Sequence, residues 1–176
     1  PESRNIEWTF DDWGRPDKER ENSATNTPLY QKNRLCCSNG YDAPALTLEL
    51  NEDATKANLV WRNEDLDTHH GHFVLVDGLI YGSNWINNTQ GNWVAVDWNT
   101  GETKYENEWN GGKSKGSIIA ADGMLYCYDE RRGAVGLVKP NPEKFEVVSE
   151  FRITKGEGPH WAHPVIDNGI LYIRHG

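Results

Sequence analysis

Histidines are the residues of this sequence with the most versatile side-chain chemistry, and five of the six lie in two short clusters. The first cluster contains His69, His70 and His72, and the second contains His160 and His163. A neutral imidazole can exchange a proton near pH 7, hydrogen-bond on either side, or bind a transition metal. Three interpretations stay open: structural hydrogen bonds and packing on Trp161, a site for a small polar ligand or quinone, and a metal site.

The spacing of the first cluster argues against the metal site. If His69–His72 is a strand, alternate side chains point to opposite faces, so that at most His70 and His72 share one. The pattern also lacks a recognised zinc spacing. Ser114 and Ser117 align with histidines in the repeat frame given below, but Ser, His and Asp are common enough that this alone does not predict a nucleophilic triad. No Gly-x-x-x-x-Gly-Lys-Ser/Thr loop is present, which argues against nucleotide hydrolysis.

Charge and composition narrow the functional classes. The 176 residues include 27 acidic and 18 basic side chains, a formal net charge of -9, and this acidic balance argues against nucleic-acid binding. No run of about 18 apolar residues occurs, so a membrane-spanning helix is not expected. Eight Trp, seven Tyr and 17 Gly favour strands and turns over helices. The composition predicts an all-β protein.

A turn recurs at a nearly constant period. The turn pairs Lys32-Asn33, Asp77-Gly78, Asp122-Gly123 and Asn168-Gly169 have second members 45, 45 and 46 residues apart, each between two apolar strands. Such pairs favour type I′ hairpins, because they tolerate positive φ. Two more strands fit between successive hairpins. Four strands in about 45 residues are typical of a propeller blade; a β-sandwich would not explain the constant period.

A large aromatic residue precedes each hairpin: Trp8, Trp61, Tyr105 and Phe151. We predict that the last three are buried as wedges between adjacent blades.

The sequence therefore predicts an all-β protein, a β-propeller of four-stranded antiparallel blades. About three blades plus the first hairpin of another form an incomplete ring within a single propeller domain, residues 1–176. The units run roughly over 24–62, 69–109, 114–153 and 160–176, and 1–23 ends a preceding blade and adds a long loop. Propellers close with about four to eight blades, so we expect the missing blades from the same longer chain or another subunit.

The segment Ala95-Val96-Asp97-Trp98-Asn99-Thr100-Gly101, followed by Tyr105, resembles the tryptophan-docking repeat of quinoprotein alcohol dehydrogenases, whose pattern is A-x-D-x-x-T-G-x-x-x-W. Tyr105 replaces the final Trp. The resemblance implies a pyrroloquinoline-quinone-like propeller, a bacterial protein of the periplasm or cell envelope, with pyrroloquinoline quinone and Ca²⁺ as the cofactors of the family's enzymes. It does not imply an activity, because the superfamily also includes assembly scaffolds and binding proteins without cofactor.

The repeat frame selects the candidate site. In a blade, the loop leading into the innermost strand and the loop joining the second and third strands lie on one face. Counting back nine and six residues from the turns brings the two histidine clusters to that face. The candidate ligand-binding residues are His69, His70, His72, Asn84, Trp85, Asp129, His160, Trp161, His163, Arg174 and His175. The charged loop 11–21 reaches the same face, or is a solvated surface loop.

Two functions follow from this face. The first is a non-catalytic propeller that binds a small polar ligand or a partner, and for an anion we expect tighter binding as pH falls through about 6.5. The alternative is part of a quinoprotein alcohol dehydrogenase. In that case only Asp67 lies in a loop that leads into an inner strand, with Asn84 and Asp129 farther along, so this chain alone does not supply a convincing calcium and catalytic set.

Cys36 and Cys37 invite one further comparison with that family. Some quinoprotein dehydrogenases carry a disulfide between adjacent cysteines against the cofactor ring. Here Cys36 aligns with Tyr81 and Cys37 with Gly82, inside a second strand, so strand packing is the expected role.

Overall fold

The computed structural model describes residues 6–12 and 25–176, and this part of the chain is built from fourteen strands. The first blade holds β1 (Leu29–Gln31), β2 (Arg34–Cys37), β3 (Ala45–Leu50) and β4 (Ala57–Asn63). The second holds β5 (Phe73–Val76), β6 (Leu79–Ser83), β7 (Trp93–Asp97) and β8 (Thr103–Asn107). The third holds β9 (Gly116–Ala121), β10 (Met124–Asp129), β11 (Ala134–Lys139) and β12 (Glu146–Arg152), and a hairpin follows as β13 (Val165–Asp167) and β14 (Ile170–Tyr172).

Each blade is an antiparallel sheet in simple sequential order, and β13–β14 form a separate two-stranded sheet. The first strands β1, β5 and β9 lie beside one another, as the innermost strands of neighbouring blades do. The prediction of three blades and one further hairpin in an open arc is confirmed. In the described residues there is no helix of the length and apolarity that crossing a bilayer would need.

The predicted hairpin turns have the backbone conformation that their residues favour. Asp77 and Gly78 have φ of 49° and 81°, and Asp122 and Gly123 have 51° and 72°. The last turn, Asn168-Gly169, is similar, whereas in the first turn Lys32 carries the positive φ, 58°. Two successive positive φ values define a type I′ turn, whose twist matches that of the flanking strands.

Trp61 joins the first blade to the second. Its indole is 7% exposed, and its Nε1–H donates to the carbonyl oxygen of Trp98 at 3.0 Å. The ring lies over Gly101, where an added Cβ would meet its atoms at 2.7 Å. Asp97 holds this turn, because its Oδ1 accepts the backbone N–H groups of Asn99 and Thr100, both at 2.9 Å. In the docking motif the indole of Trp61 thus packs directly on the backbone of the turn, where Gly101 has no side chain.

Replacing Gly101 by Ala should weaken this junction more than the same change at Gly78. Both glycines have positive φ, 74° and 81°, but an added Cβ meets no atom within 4 Å at Gly78. We expect Gly78→Ala to cost about 1 to 2 kcal/mol from backbone strain. Gly101→Ala should lose about 1 to 3 kcal/mol more from the overpacked indole. Urea unfolding followed by tryptophan fluorescence measures both, and equal losses would contradict the docking role of Gly101.

Tyr105 is buried as predicted, at 8% exposure, but the prediction for Phe151 is wrong, since its side chain is 52% exposed. A bulge lies between the third and fourth strands of each blade. At the last pair before the bulge, counted along the third strand, Trp61 lies opposite Thr47 and Tyr105 lies opposite Ala95. In the third blade Ser149 takes this place, opposite Leu137. Phe151 therefore lies two residues beyond the wedge position, on an outer strand that is largely exposed.

Two apolar clusters fill the spaces between blades. One joins the first and second blades around Trp61, Phe73 and Trp98. The other joins the second and third around Trp93, Trp109 and Leu125. In the second cluster Trp93 stacks on Phe145, with ring centroids 5.5 Å apart. These clusters fix the angle between blades, and with it the positions of the loops at their ends.

Candidate functional site

Five rings from loops at one end of the blades form a continuous row, which we call the ring face: Trp85, Tyr41, His69, His70 and Trp161. Successive ring centroids are 5.2, 4.6, 4.6 and 5.4 Å apart. Tyr41 and Trp85 lie in the loops between the second and third strands of the first two blades. The other three lie in loops that lead into β5 and β13. The loops that carry these five residues, which the repeat frame assigns to one face, therefore lie next to one another.

The segment 69–72 is a bend and not a strand, which corrects the argument from alternation. His72 has a φ of 63°, and its backbone N–H donates to Asn26 Oδ1 at 3.0 Å. Because the chain turns here, the rings of the consecutive residues His69 and His70 lie side by side. His69 Nε2 is 2.8 Å from the hydroxyl of Tyr41, which fixes the ring against the first blade.

Three residues at the same offset from their turns lie together, and two of them contact one carboxylate. His70, Lys115 and Trp161 each lie eight residues before the second residue of the following turn. His70 Nε2 is 3.2 Å from Glu130 Oε2, Lys115 Nζ is paired with Glu130 Oε1, and the ring of His70 contacts Trp161 edge-on. The Lys115 and Glu130 side chains are 3% and 7% exposed. This buried pair lies beside His70.

Burial by itself would raise the pKa of Glu130, but the hydrogen bond with His70 and the charge of Lys115 outweigh it. The pKa of Glu130 is therefore below its usual value, and the side chain is a carboxylate at neutral pH. A buried carboxylate paired with an ammonium leaves little net charge.

The remaining histidines are also paired with another imidazole. The ring centroids of His72 and His163 are 6.2 Å apart, and those of His160 and His175 are 4.3 Å apart. His163 Nε2 is 2.9 Å from the carbonyl oxygen of His70, and His160 Nδ1 is 2.5 Å from the hydroxyl of Tyr128. These contacts hold the loop before β13 against the second and third blades.

The protonation of these rings departs from the simple expectation. Burial lowers the pKa of His69 to about 4, and the neighbouring charges of His70 and Lys115 act in the same direction. Burial first, and then the charge of the paired ring, lowers the pKa of His72 and of His160. His69 is therefore neutral at pH 6.5, and the pKa values of His72 and His160 are shifted in the same direction. From unperturbed histidines we expect anions to bind more tightly as pH falls through about 6.5. The lowered pKa values do not support this expectation for His69, His72 and His160.

His69 should contribute a fall in the free energy of unfolding as pH is lowered from 6.5 to 4, and comparison with a variant that lacks its imidazole isolates this contribution. A histidine with a lowered pKa binds fewer protons when folded than when unfolded, so its stabilising effect is complete above 6.5 and is lost toward 4. Urea unfolding at several pH values compares the native chain with His69→Gln. The variant should lose less stability over this range, and parallel curves would contradict the lowered pKa.

Asp67 has the opposite effect on the pH dependence of stability. It is present in both the native chain and His69→Gln, so its contribution cancels in the difference between the two. Burial raises its pKa to about 7, although its carboxylate accepts the backbone N–H groups of Trp85 at 2.9 Å and of Asp42 at 3.2 Å. A raised pKa destabilises the folded state as pH rises from about 4 to 7. These two hydrogen bonds tie together the loops that carry Tyr41 and Trp85.

The residues considered for calcium do not converge on a site. The Oδ1 atom of Asn84 accepts the backbone N–H of Asn92 at 2.7 Å, and the Oδ1 and Oδ2 atoms of Asp129 accept from Arg131 N at 2.8 Å and Asn110 Nδ2 at 2.5 Å. Asp67 is occupied as described. No three His, Cys, Asp or Glu side chains in residues 6–12 and 25–176 are arranged to hold a metal ion. The described residues therefore do not bring together the calcium-ligand set considered from the sequence.

The cysteines likewise show no cofactor geometry. Cys36, Cys37 and Cys127 are free thiols, and burial raises the pKa of Cys36 to about 12 and that of Cys37 to about 11. Cys36 is buried in the cluster between the first two blades, which agrees with strand packing.

The other predicted site residues lie at the margins of the ring face. Arg174 and His175 line, with Pro159, Trp161, Ala162 and Gly176, an apolar hollow of about 400 Å³. Of the charged loop 11–21, residues 13–21 lie outside the described residues. Asp12 Oδ2 is 2.7 Å from Arg62 Nη2.

Sequence reasoning missed Tyr41, Lys115 and Tyr128. Tyr41 lies in the loop between the second and third strands of the first blade, and this type of loop was considered only for the later blades. Lys115 has the offset of His70, so the repeat frame contains the signal that identifies it. Nothing in the sequence distinguishes Tyr128 from the other strand tyrosines.

Comparison with solved structures bears on the fold of the chain. No protein-family model and no curated protein matches the sequence. Three similar structures are BamB from Moraxella catarrhalis (19% identity, TM-score 0.64), a europium-containing methanol dehydrogenase (15%, 0.56) and the quinohemoprotein alcohol dehydrogenase ADHIIG from Pseudomonas putida HK5 (14%, 0.65). They match 86%, 71% and 84% of this chain, which spans 40%, 24% and 28% of theirs. The chain has a β-propeller fold like that of these three proteins, as an open arc of three blades and a hairpin.

Proposed function

We propose that this chain is part of a non-catalytic propeller that binds a small polar ligand on the ring face. The observation that carries the proposal is the unbroken row from Trp85 to Trp161, with centroid separations of 4.6 to 5.4 Å. It is built from loops of separate blades, and its last ring, Trp161, is 58% exposed. Aromatic surfaces combined with a few oriented polar groups are typical of small-molecule sites.

Two further observations support binding over catalysis. The carboxylates and amide that a calcium-dependent dehydrogenase would need are occupied by structural hydrogen bonds, as described for Asp67, Asn84 and Asp129. The carboxylate beside His70, that of Glu130, is buried and paired with Lys115. A location in the periplasm or cell envelope, and completion of the ring by further blades, belong to the same proposal.

Equilibrium dialysis of the purified chain against a mixed library of metabolites and short glycans, read by mass spectrometry, tests this function. We expect retention of at least one class of small molecule that Trp161→Ala loses. Phe151→Ala is the matched control, because it removes an aromatic side chain of similar exposure, 52%, from an outer strand. Retention that both variants leave unchanged would contradict a site on the ring face.

A partner protein on the same face is the alternative outcome. It would appear as no retained small molecule together with a complex that Trp161→Ala dissociates. Addition of pyrroloquinoline quinone with Ca²⁺ should leave the quinone absorbance unchanged, and a shift accompanied by alcohol-dependent dye reduction would favour the dehydrogenase.

A further inference from the structure

We infer that the ligand of the ring face is a neutral saccharide, recognised by stacking on Trp161 and by a hydroxyl group that donates to Nδ1 of His70. This inference rests on the proposed function and assigns its ligand class. It depends on three properties of the site: the orientation of His70, the exposure of Trp161 and the low net charge around them.

Glu130 fixes which nitrogen of His70 is free. A carboxylate only accepts hydrogen bonds, so the contact of 3.2 Å between Glu130 Oε2 and His70 Nε2 requires the hydrogen on Nε2. In the neutral ring Nδ1 is then an acceptor. No residue of the described chain is hydrogen-bonded to His70 Nδ1. Glu130 is thus a positioning residue, and the site requires a ligand that donates.

Lys115 keeps that carboxylate ionised and buried. Its ammonium pairs with the second oxygen of Glu130, and both side chains are nearly inaccessible. The pair therefore resists reorientation when a ligand arrives. A fixed acceptor loses little conformational entropy on binding, which suits recognition of a hydroxyl group in competition with water.

Trp161 supplies the apolar part of the surface. Its ring meets His70 at 61°, edge to face, and the side chain remains 58% exposed. The face of an indole carries partial negative charge, and the axial C–H groups of a pyranose carry partial positive charge, so the two stack. Hydroxyl groups at the rim of the same sugar ring reach a neighbouring imidazole.

Charge decides between a neutral sugar and an acidic one. His69, whose ring is next to His70, is neutral above about pH 4, and Lys115 is already paired with Glu130. The titratable groups that face His70 are thus Glu130, Lys115 and His69, with His163 bonded to its carbonyl oxygen. None of these groups offers an uncompensated positive charge to an acidic group at His70. Arg174 lines the hollow beside Trp161 and is the cation through which an acidic sugar would bind instead.

The first test measures binding of the native chain to immobilised neutral oligosaccharides of glucose, galactose, mannose and N-acetylglucosamine, beside their sulfated and uronic-acid counterparts. We expect at least one neutral series to bind, and Trp161→Ala to weaken it at least tenfold while Phe151→Ala leaves it unchanged. Preference for the acidic series, or no neutral series bound, would overturn the inference.

A second measurement does not depend on any variant folding. Two-bond ¹H–¹⁵N correlation spectra of the ligand-free native chain at pH 7.5 distinguish the two tautomers of a histidine. We expect His70 to carry its hydrogen on Nε2, and a hydrogen on Nδ1 would overturn the role given to Glu130. If dialysis shows a ligand of another class that depends on Trp161, the proposed function stands and the saccharide assignment fails.

Discussion

Trp61→Ala should lower the free energy of unfolding by about 3 to 5 kcal/mol, the usual cost of deleting a large buried aromatic side chain. The indole is 7% exposed, belongs to the cluster between the first two blades and donates to the carbonyl oxygen of Trp98 at 3.0 Å. Its removal leaves a cavity between two sheets that cannot both relax into it. Urea unfolding followed by far-ultraviolet circular dichroism measures the loss.

Phe151→Ala is the control, since this aromatic residue has a similar distance to its turn in the sequence but is 52% exposed. Its loss should be below about 1 kcal/mol, as for other surface substitutions. Equal costs at the two positions would show that burial between blades is not what makes Trp61 important.

Glu130→Ala should cost about 3 to 5 kcal/mol, because it leaves the ammonium of Lys115, 3% exposed, buried without its counter-charge. The same substitution also removes the partner of His70 Nε2. The double variant Lys115→Met/Glu130→Leu replaces the pair by apolar side chains, and it should recover most of the loss. Urea unfolding at pH 7 measures both variants.

Glu49→Ala provides the comparison at the surface. Glu49 pairs with Arg34 at 3.1 Å, but the two side chains are 44% and 25% exposed. Solvent screens such a pair, so the loss should be below about 1 kcal/mol. If Lys115→Met/Glu130→Leu is as unstable as Glu130→Ala, the cost at Glu130 comes from lost packing and not from an unpaired charge.

The repeat could be predicted from the sequence because its signals are local. The turn pairs, such as Asp77-Gly78, select a hairpin through their own backbone preferences, and the alternation of apolar residues on either side sets the strand register. The docking motif is also local, since Asp97 bonds to backbone groups two and three residues away. Local signals of this kind do not depend on the rest of the fold.

The wedge at the third blade shows where local signals stop. Trp61, Tyr105 and Phe151 have similar distances to their turns, yet the bulge in the third blade places Ser149, and not Phe151, at the equivalent position. A bulge adds a residue to one strand, and its exact position depends on how two strands pack. Counting along the chain does not reveal it.

For the candidate site, the sequence by itself determined that two histidine clusters occupy equivalent loops at one end of successive blades. Only the tertiary structure decided that these histidines pair with one another, that Tyr41 and Trp161 extend the row, and that Lys115 and Glu130 form a buried pair beside it. The physical reason is that such contacts join residues of different blades. They depend on the angle between sheets, which is set by the packing of Trp61 and Trp93 far from the loops themselves.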